Sequence, residues 1–388
     1  MGDPLTESGL ARLGELASAH VGDDDVPGLV ALVSCRDQVH VEARGSLTIG
    51  GPPARRDSLF RISSTSKVVT GAATLALVDE GLLRLDQPVG DLLPELAGPR
   101  VLRSMGGSLD DTVEADREIT VRDLLTFTNG FGMSVDMFMA EAPWPVVTAA
   151  NGLRLGTLGP PDPAVQPDPD TWIAGLGSLP LMAQPGVRWL YGTGASILGV
   201  LLARAARMPL ADVLRTRLFE PLGMRDTAFW TRDVERLATA YAAARDGLRV
   251  WDEPGGKWSR EPDFGDGGDG LLSTVDDLNA FARMFLRGGS PVLSAGAVEG
   301  MTHDQLTAEQ RQGGAAFLSG QTWGFCQSVI VTGRSAGAFG WDGGLGTSWL
   351  VDPRRDLAIV VLTQKLFGSA GAPRVHVDIQ AAAYAALA

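Results

Sequence analysis

The chain reads as an α/β protein of the α+β type: an antiparallel sheet flanked by N- and C-terminal helices, plus an inserted helical lobe. Three observations predict this. Strand-like runs joined by short turns occur near both chain ends, and short turns join antiparallel neighbours. The stretch between them carries helical spacing and turn signals with little β patterning. The first and last periodic segments are helical, suited to covering a sheet built from both ends. With 388 residues, the reading is one unit of two lobes: 1–85 with 265–388 as the α/β lobe, and 86–264 as the mainly helical lobe.

Taken in order, Leu5 to Val21 places Leu10, Leu13, Leu16 and Ala17 at helical spacing. Gly28 to Cys35 and Gln38 to Leu47 read as a hairpin about Arg36-Asp37. Ser64 opens the next helix, apolar almost all round from Val68 to Val78 and therefore buried, and ending near Gly81. Thr120 reads as a helix cap with Asp123 three residues on. From Pro143 to Trp172 the chain looks irregular and Pro-rich, and loops this long are functional covers or linkers. Ile197 to Arg207 and Leu210 to Phe219 read as helices. Strands return at Gly324–Val331, Ala338–Trp341, Thr347–Val351 and Leu357–Thr363, before a last helix from Val375 to Leu387.

Composition excludes some functions. A net charge of −13 and a pI near 4.8 speak against nucleic acid or an anionic membrane as partner, since both require a basic face. The N-terminus lacks the pattern of a signal peptide, and no stretch has the length of an apolar membrane span, so a cytoplasmic location is expected. Cys35 and Cys326 read as buried small hydrophobes, too few for a disulfide framework or a zinc site. His20, His40 and His303 show no ligand spacing. The Asp266-Gly267-Gly268-Asp269 segment lacks calcium-loop spacing and reads as a solvated turn. Neither metal nor organic cofactor is expected, and oligomeric state is left open.

Positive charge is written almost entirely as arginine: of 33 basic residues only Lys67, Lys257 and Lys365 are lysine. Lysine at 67, in a nearly uncharged stretch, therefore reads as a demand for an amine that can lose its proton in apolar surroundings. It stands three residues after Ser64, and i and i+3 share a helix face. Serine needs an adjacent base to act as a nucleophile, and S-x-x-K supplies one. Its own N–H at a helix start can also stabilise an oxyanion. Tyrosine is equally rare, and Tyr191 sits on a turn before the helix near Ala195, where a phenol can move protons. A packed aromatic is its bland alternative. In Gly340-Trp341-Asp342-Gly343-Gly344 the glycines let another backbone or a ligand approach a strand, or else mark a bulge.

Together, Ser64-x-x-Lys67, the Tyr191 box and the Trp341-Asp342-Gly343 segment resemble, in order and spacing, the serine β-lactamase and penicillin-binding-protein superfamily. The likeness is to the class C β-lactamase, D-aminopeptidase and family VIII carboxylesterase branch, over residues from about 25 to 365. It implies a β-lactamase/D,D-peptidase-like fold with the site between lobes. It implies Ser64 as acylated nucleophile, Lys67 and Tyr191 as general base, and the N–H groups of Ser64 and of Gly344, after an edge strand, as oxyanion hole. Trp341, Asp342, Gly343 and Thr193 would meet the substrate.

Three departures matter. Thr193 replaces a frequent amide-recognising asparagine, Phe127 replaces a frequent histidine and reads as packing, and Trp341 replaces the lysine or histidine that would hold a carboxylate. These point away from peptidoglycan chemistry, toward hydrolysis of a small-molecule carboxylic ester. Acyl transfer to an alcohol or amine is the runner-up, with Phe131, Trp144 and Trp172 available to build a pocket that excludes water. A β-lactamase or D-aminopeptidase/D,D-peptidase-type amidase is the third reading. A catalytically dead scaffold would have no reason to keep a lone lysine and a rare tyrosine. Gly333-Arg334-Ser335-Ala336-Gly337 matches a nucleophile-elbow pattern but lacks the strand–turn–helix context, and reads as a hairpin turn.

Overall fold

The computed structural model describes residues 4–22, 25–156, 159–369 and 371–388. Seven strands form the main sheet: β1 (Gly28–Cys35), β2 (Gln38–Gly45), β3 (Thr322–Trp323), β4 (Ser328–Val329), β5 (Phe339–Gly343), β6 (Thr347–Asp352) and β7 (Leu357–Thr363). They lie in the order β2-β1-β7-β6-β5-β4-β3, and every neighbouring pair is antiparallel. The two chain ends meet where β1 pairs with β7, Leu29 opposite Thr363 and Cys35 opposite Leu357. This is the antiparallel sheet that the terminal strand patterns predict.

Both faces of the sheet are covered, which explains why β1 and β7 read as continuous apolar runs. Leu29, Ala31 and Val33 of β1, with Ile359 and Val361 of β7, pack under α1 (Glu7–Ala19) and α5 (Arg374–Ala385). Their alternates Val30, Leu32, Val360 and Leu362 face the main core, which holds α2 (Ser66–Asp79). Period-two alternation thus assigns each residue to one of two cores. Against that inner face lies α4 (Val275–Leu286), whose Phe281 and Phe285 pack on Trp349. The Trp349 indole N–H donates to the Leu278 carbonyl at 3.0 Å. Residues from Ser66 to Leu77 are all buried, as an all-round apolar helix requires.

Several boundaries differ from the sequence reading. Ser64 lies in a 3₁₀ turn, Ser63–Thr65, and the α-helix proper begins at Ser66. The expected strand 324–331 is reduced to Ser328–Val329, with a second short strand, Thr322–Trp323, just before the expected range, because the chain leaves the sheet at Cys326, whose N–H donates to the Leu125 carbonyl at 2.8 Å. The Pro-rich 143–172 segment contains a helix, Pro145–Gly152, with proline at its first turn. Two hairpins stand in the span read as helix and loop, 100–102 with 112–114 and 240–244 with 247–252. Their strands are short, Ala-rich or charged, so they carry little period-two signal. The cap at Thr120 is as expected, a reciprocal capping box with Asp123. The 333–337 segment is the exposed turn between β4 and β5. Among the described residues no helix is long and apolar enough to cross a membrane.

Candidate active site

Ser64 is placed by the strand that precedes it. Phe60 and Arg61 pair antiparallel with Ser273 and Leu272. Arg61 is fixed by a buried ion pair: its Nε donates to Asp252 Oδ2 at 2.9 Å, and its guanidinium lies over the Trp258 ring. The chain then turns sharply, with Ser63 at a φ of 45°, a left-handed conformation uncommon outside glycine. The 341–343 half of β5 presses on this turn. A Cβ on Gly343 would lie 2.2 Å from both the Ile62 carbonyl oxygen and Thr347 Oγ1, so glycine is required there. Thr65 Oγ1 donates to the Trp341 carbonyl at 3.3 Å, and Thr347 Oγ1 to the Ile62 carbonyl at 3.0 Å. The approach of a second backbone is thus the reason for this glycine. β5 is an open edge only in this half, since β4 pairs with Phe339 and Gly340.

One turn along, Lys67 is 1 % exposed, and its Nζ donates to Ser64 Oγ at 3.0 Å, to the Gly268 carbonyl at 2.9 Å and to Asp269 Oδ2 at 2.8 Å. Tyr191 precedes α3 (Thr193–Ala206) and is held by reciprocal backbone hydrogen bonds with Met133. Its ring stacks on Phe317 at 5.4 Å, meets Phe127 edge-on at 6.0 Å and lies 5.5 Å from Trp341. The Trp341 indole N–H donates to the Tyr191 hydroxyl at 2.7 Å. Lys67 Nζ sits 5.1 Å from the centre of the same ring. Ser64 and Lys67, one helical turn apart, therefore share one cavity with Tyr191, which comes from far along the chain.

The surroundings favour the charged form of Lys67, where the sequence reading looks for an amine that sheds its proton. Burial pulls the Lys67 pKa down, but neighbouring negative charge, Asp269 foremost, pushes it up, and the net shift is upward. Burial raises the Tyr191 pKa and outweighs the opposing pull of Lys67, so the phenol keeps its proton.

Asp269 is the functional candidate that sequence reasoning missed. Its Oδ1 accepts from Ser64 Oγ at 2.8 Å and from Ser63 Oγ at 3.3 Å. The 266–269 loop is not a solvated turn. Asp266 is buried, accepting from Ser196 Oγ and from the Gly268 N–H, each at 2.7 Å. Gly267 and Gly268 let the loop close on α2 and α3: a Cβ on Gly267 would sit 3.0 Å from Thr70 Oγ1, and one on Gly268 2.8 Å from Ser196 Oγ. Two glycines between two acids look like a surface turn in one dimension. No signal in the sequence marked it, since the pairing that brings Gly270-Leu271-Leu272 beside the strand before Ser64 joins segments about 200 residues apart.

The cavity has a volume of about 600 Å³. Trp341, Asp342, Gly344 and Thr193 line it, while Gly343 is buried behind as the close-contact glycine. Thr193 Oγ1 is buried and without a hydrogen-bond partner among the described residues. Phe131 does not line the cavity. It lies with Thr193 on a separate void of about 30 Å³, because the chain turns through Gly132, at a φ of 140°, and delivers Met133 to the cavity instead. Trp172 is likewise elsewhere, stacked on Phe264 in the core. The Pro-rich segment does contribute, through Gly156, Gly159, Pro160 and Pro161. Phe127 is fully buried in the aromatic cluster, as packing requires.

A sheet built from both chain ends, with Ser64 in the turn before and Lys67 in the first turn of the helix across its inner face, is the arrangement of the serine β-lactamase-like superfamily, and this chain is a serine hydrolase of that class. The profile of the Beta-lactamase family matches residues 13–383, and the chain belongs to that family. It is 37 % identical to Protein Rv1367c of Mycobacterium tuberculosis (strain ATCC 25618 / H37Rv), over 86 % of this chain and 82 % of that one. To Esterase EstB of Burkholderia gladioli it is 28 % identical, over 97 % of this chain and 95 % of that one. Among solved structures it resembles EstCE1, a hydrolase with promiscuous acyltransferase activity, at a TM-score of 0.81 and 23 % identity, covering 97 % and 99 % of the two chains.

Proposed function

We propose that this enzyme is a carboxylesterase that hydrolyses neutral small-molecule esters through an acyl-enzyme on Ser64. The site lies between the lobe formed by 1–85 with 265–388 and the lobe formed by 86–264. The observation that carries the reading is the buried Lys67 side chain, its Nζ 3.0 Å from the Ser64 hydroxyl on the wall of an aromatic-lined cavity. Ser64 Oγ attacks the ester carbonyl, and the N–H groups of Ser64 and Gly344 receive the oxyanion. Lys67 and Tyr191 move protons between Ser64, the leaving alcohol and the water that deacylates the serine.

Charge supports a neutral substrate. Among the described lining residues the charged groups are Lys67, Asp269 and Asp342, and Lys67 is paired with Asp269. A carboxylate-bearing substrate such as a β-lactam would meet net negative charge where Trp341 stands in place of a cation. That EstB, related along nearly the whole chain, is an esterase supports the same substrate class. Acyl transfer is the second reading, because the cavity has room for an acceptor beside an acyl chain.

The test is hydrolysis of p-nitrophenyl butyrate by wild type and Ser64→Ala. Turnover in the wild type alone, with a butyryl mass increment on the Ser64 peptide, is the expected result. Equal turnover in both proteins sinks the assignment. Adding a primary alcohol separates the two readings, since a transferase yields the new butyrate ester in place of free acid.

A further inference from the structure

Asp269 reaches Ser64 through a strand pairing. Arg61 pairs with Leu272 in the short antiparallel ladder, which brings the 266–269 loop alongside the Ser63–Thr65 turn that follows Arg61. The loop is locked there: Thr70 Oγ1 donates to the Gly267 carbonyl at 2.6 Å, Lys67 Nζ to the Gly268 carbonyl at 2.9 Å, and the Leu271 N–H to Ser66 Oγ at 3.2 Å. A carboxylate so held, accepting from the nucleophile at 2.8 Å and from the adjacent ammonium at 2.8 Å, is aimed at the reacting atom. Its side chain remains 26 % exposed, facing the cavity.

Resting on the Ser64 acyl-enzyme reading, we propose that Asp269 is a further catalytic residue, the proton acceptor that activates Ser64, with Lys67 as its relay to the leaving group. The Ser64 O–H bond breaks as Oγ bonds to the ester carbonyl carbon, and the proton passes to Asp269 Oδ1. The carbonyl electron pair moves onto oxygen and returns as the bond to the alkoxide breaks. The alkoxide takes a proton from Lys67, and the Asp269 carboxylic acid returns one to the amine. Ester and serine become acyl-serine and alcohol, with the Asp269–Lys67 pair restored. Water in the place of the alcohol runs the same sequence in reverse.

The groups facing Lys67 agree with this division of labour. Asp269, Asp266 and Tyr191 surround it, with Cys326 beneath, and the net effect favours the charged form. Geometry sets the order of the steps, since Lys67 Nζ donates both to Ser64 Oγ at 3.0 Å and to Asp269 Oδ2 at 2.8 Å and so can pass a proton between the two. The acceptor already hydrogen-bonded to Ser64 Oγ is the carboxylate.

The experiment compares wild type, Asp269→Asn and Asp269→Ala in pre-steady-state acylation by p-nitrophenyl butyrate, with fluorophosphonate labelling of Ser64 and thermal melting of each protein. General-base loss costs about 10²–10⁴-fold, so acylation should fall by about two orders of magnitude or more in both variants, measured below the melting temperature that each reaches once Lys67 has lost its partner. Formate should restore part of the rate in Asp269→Ala, where a small carboxylate can enter from the cavity, and none in Asp269→Asn. A role confined to structure would not respond to formate. If either variant acylates as fast as wild type or faster, Lys67 released from Asp269 is the base, and the proposal is overturned. If Asp269→Asn fails to fold, the formate response of Asp269→Ala decides; if Asp269→Ala fails, the acylation rate of Asp269→Asn against wild type decides. A wild type that fluorophosphonate does not label at Ser64 overturns the acyl-enzyme reading and this proposal with it. Equal labelling of wild type and Asp269→Asn overturns this proposal alone.

Discussion

Trp341 illustrates how one side chain changes the chemistry around a nucleophile. Its indole N–H donates to the Tyr191 hydroxyl at 2.7 Å, and its ring closes the aromatic box around that phenol. The bond opposes the burial that holds the phenol protonated. Trp341→Phe keeps a ring and deletes the donor, so the Tyr191 pKa should rise further. At about 1 kcal/mol for one hydrogen bond, kcat should drop about fivefold to tenfold. Steady-state kinetics on a neutral ester should show this in kcat with KM nearly unchanged. A change confined to KM would instead mark Trp341 as a substrate contact. At this scale rarity made the site legible. One lysine among arginines and one of three tyrosines point to Lys67 and Tyr191 without any structure. Asp269 had no such signal, because aspartate is common here and its neighbours are the glycines of any turn. Nor could spacing reveal that the surroundings of Lys67 favour its charged form, since the carboxylate responsible comes from about 200 residues away.

Between elements, the decisive contact is β5 against the Ser63–Thr65 turn. Gly343 and Gly344 are adjacent glycines with opposite demands. A Cβ at 343 would strike the Ile62 carbonyl at 2.2 Å, whereas one at 344 meets nothing within 4 Å. Gly343→Ala should push the nucleophile turn away from the strand, at a cost of about 1–3 kcal/mol, lowering both melting temperature and kcat/KM. Gly344→Ala should leave the melting temperature unchanged. Differential scanning fluorimetry beside ester hydrolysis reads both effects, and equal melting of the two variants would contradict the contact. The sequence indicated that these glycines admit a close approach. It did not indicate what approaches, because Ile62 and Gly343 meet only after the two chain ends have formed one sheet.

Across the whole molecule, ion pairs bind the helical span together. Arg204 of α3 donates to both carboxylate oxygens of Glu95 at 2.8 Å and to Asp170 at 2.8 Å. The bonds from Arg204 hold the Glu95 carboxyl below its ordinary value of 4.5. A depressed carboxyl pKa contributes stability above the unfolded-state value and loses it as pH falls through the folded-state value. Wild type should therefore melt a few degrees above Glu95→Gln at neutral pH, and the gap should close as pH falls well below 4.5. A gap that persists in acid would show that the pair contributes through packing rather than charge.

Read along the chain alone, the architecture of this molecule is legible, and so is the pairing of Ser64 with Lys67 on which the proposed mechanism rests. Period-two runs at both ends specify a two-faced sheet, an all-round apolar helix specifies the buried α2, and Ser64 with Lys67 lie close enough along the chain for helical geometry alone to join them. Only long-range packing gave the carboxylate surroundings of Lys67, the arrival of Asp269 at Ser64, the exclusion of Phe131 from the cavity and the two hairpins within 86–264. The physical reason is range. Helix periodicity and strand alternation are local and repeat along the chain, whereas burial and Coulomb fields depend on groups that become neighbours only when distant segments pack.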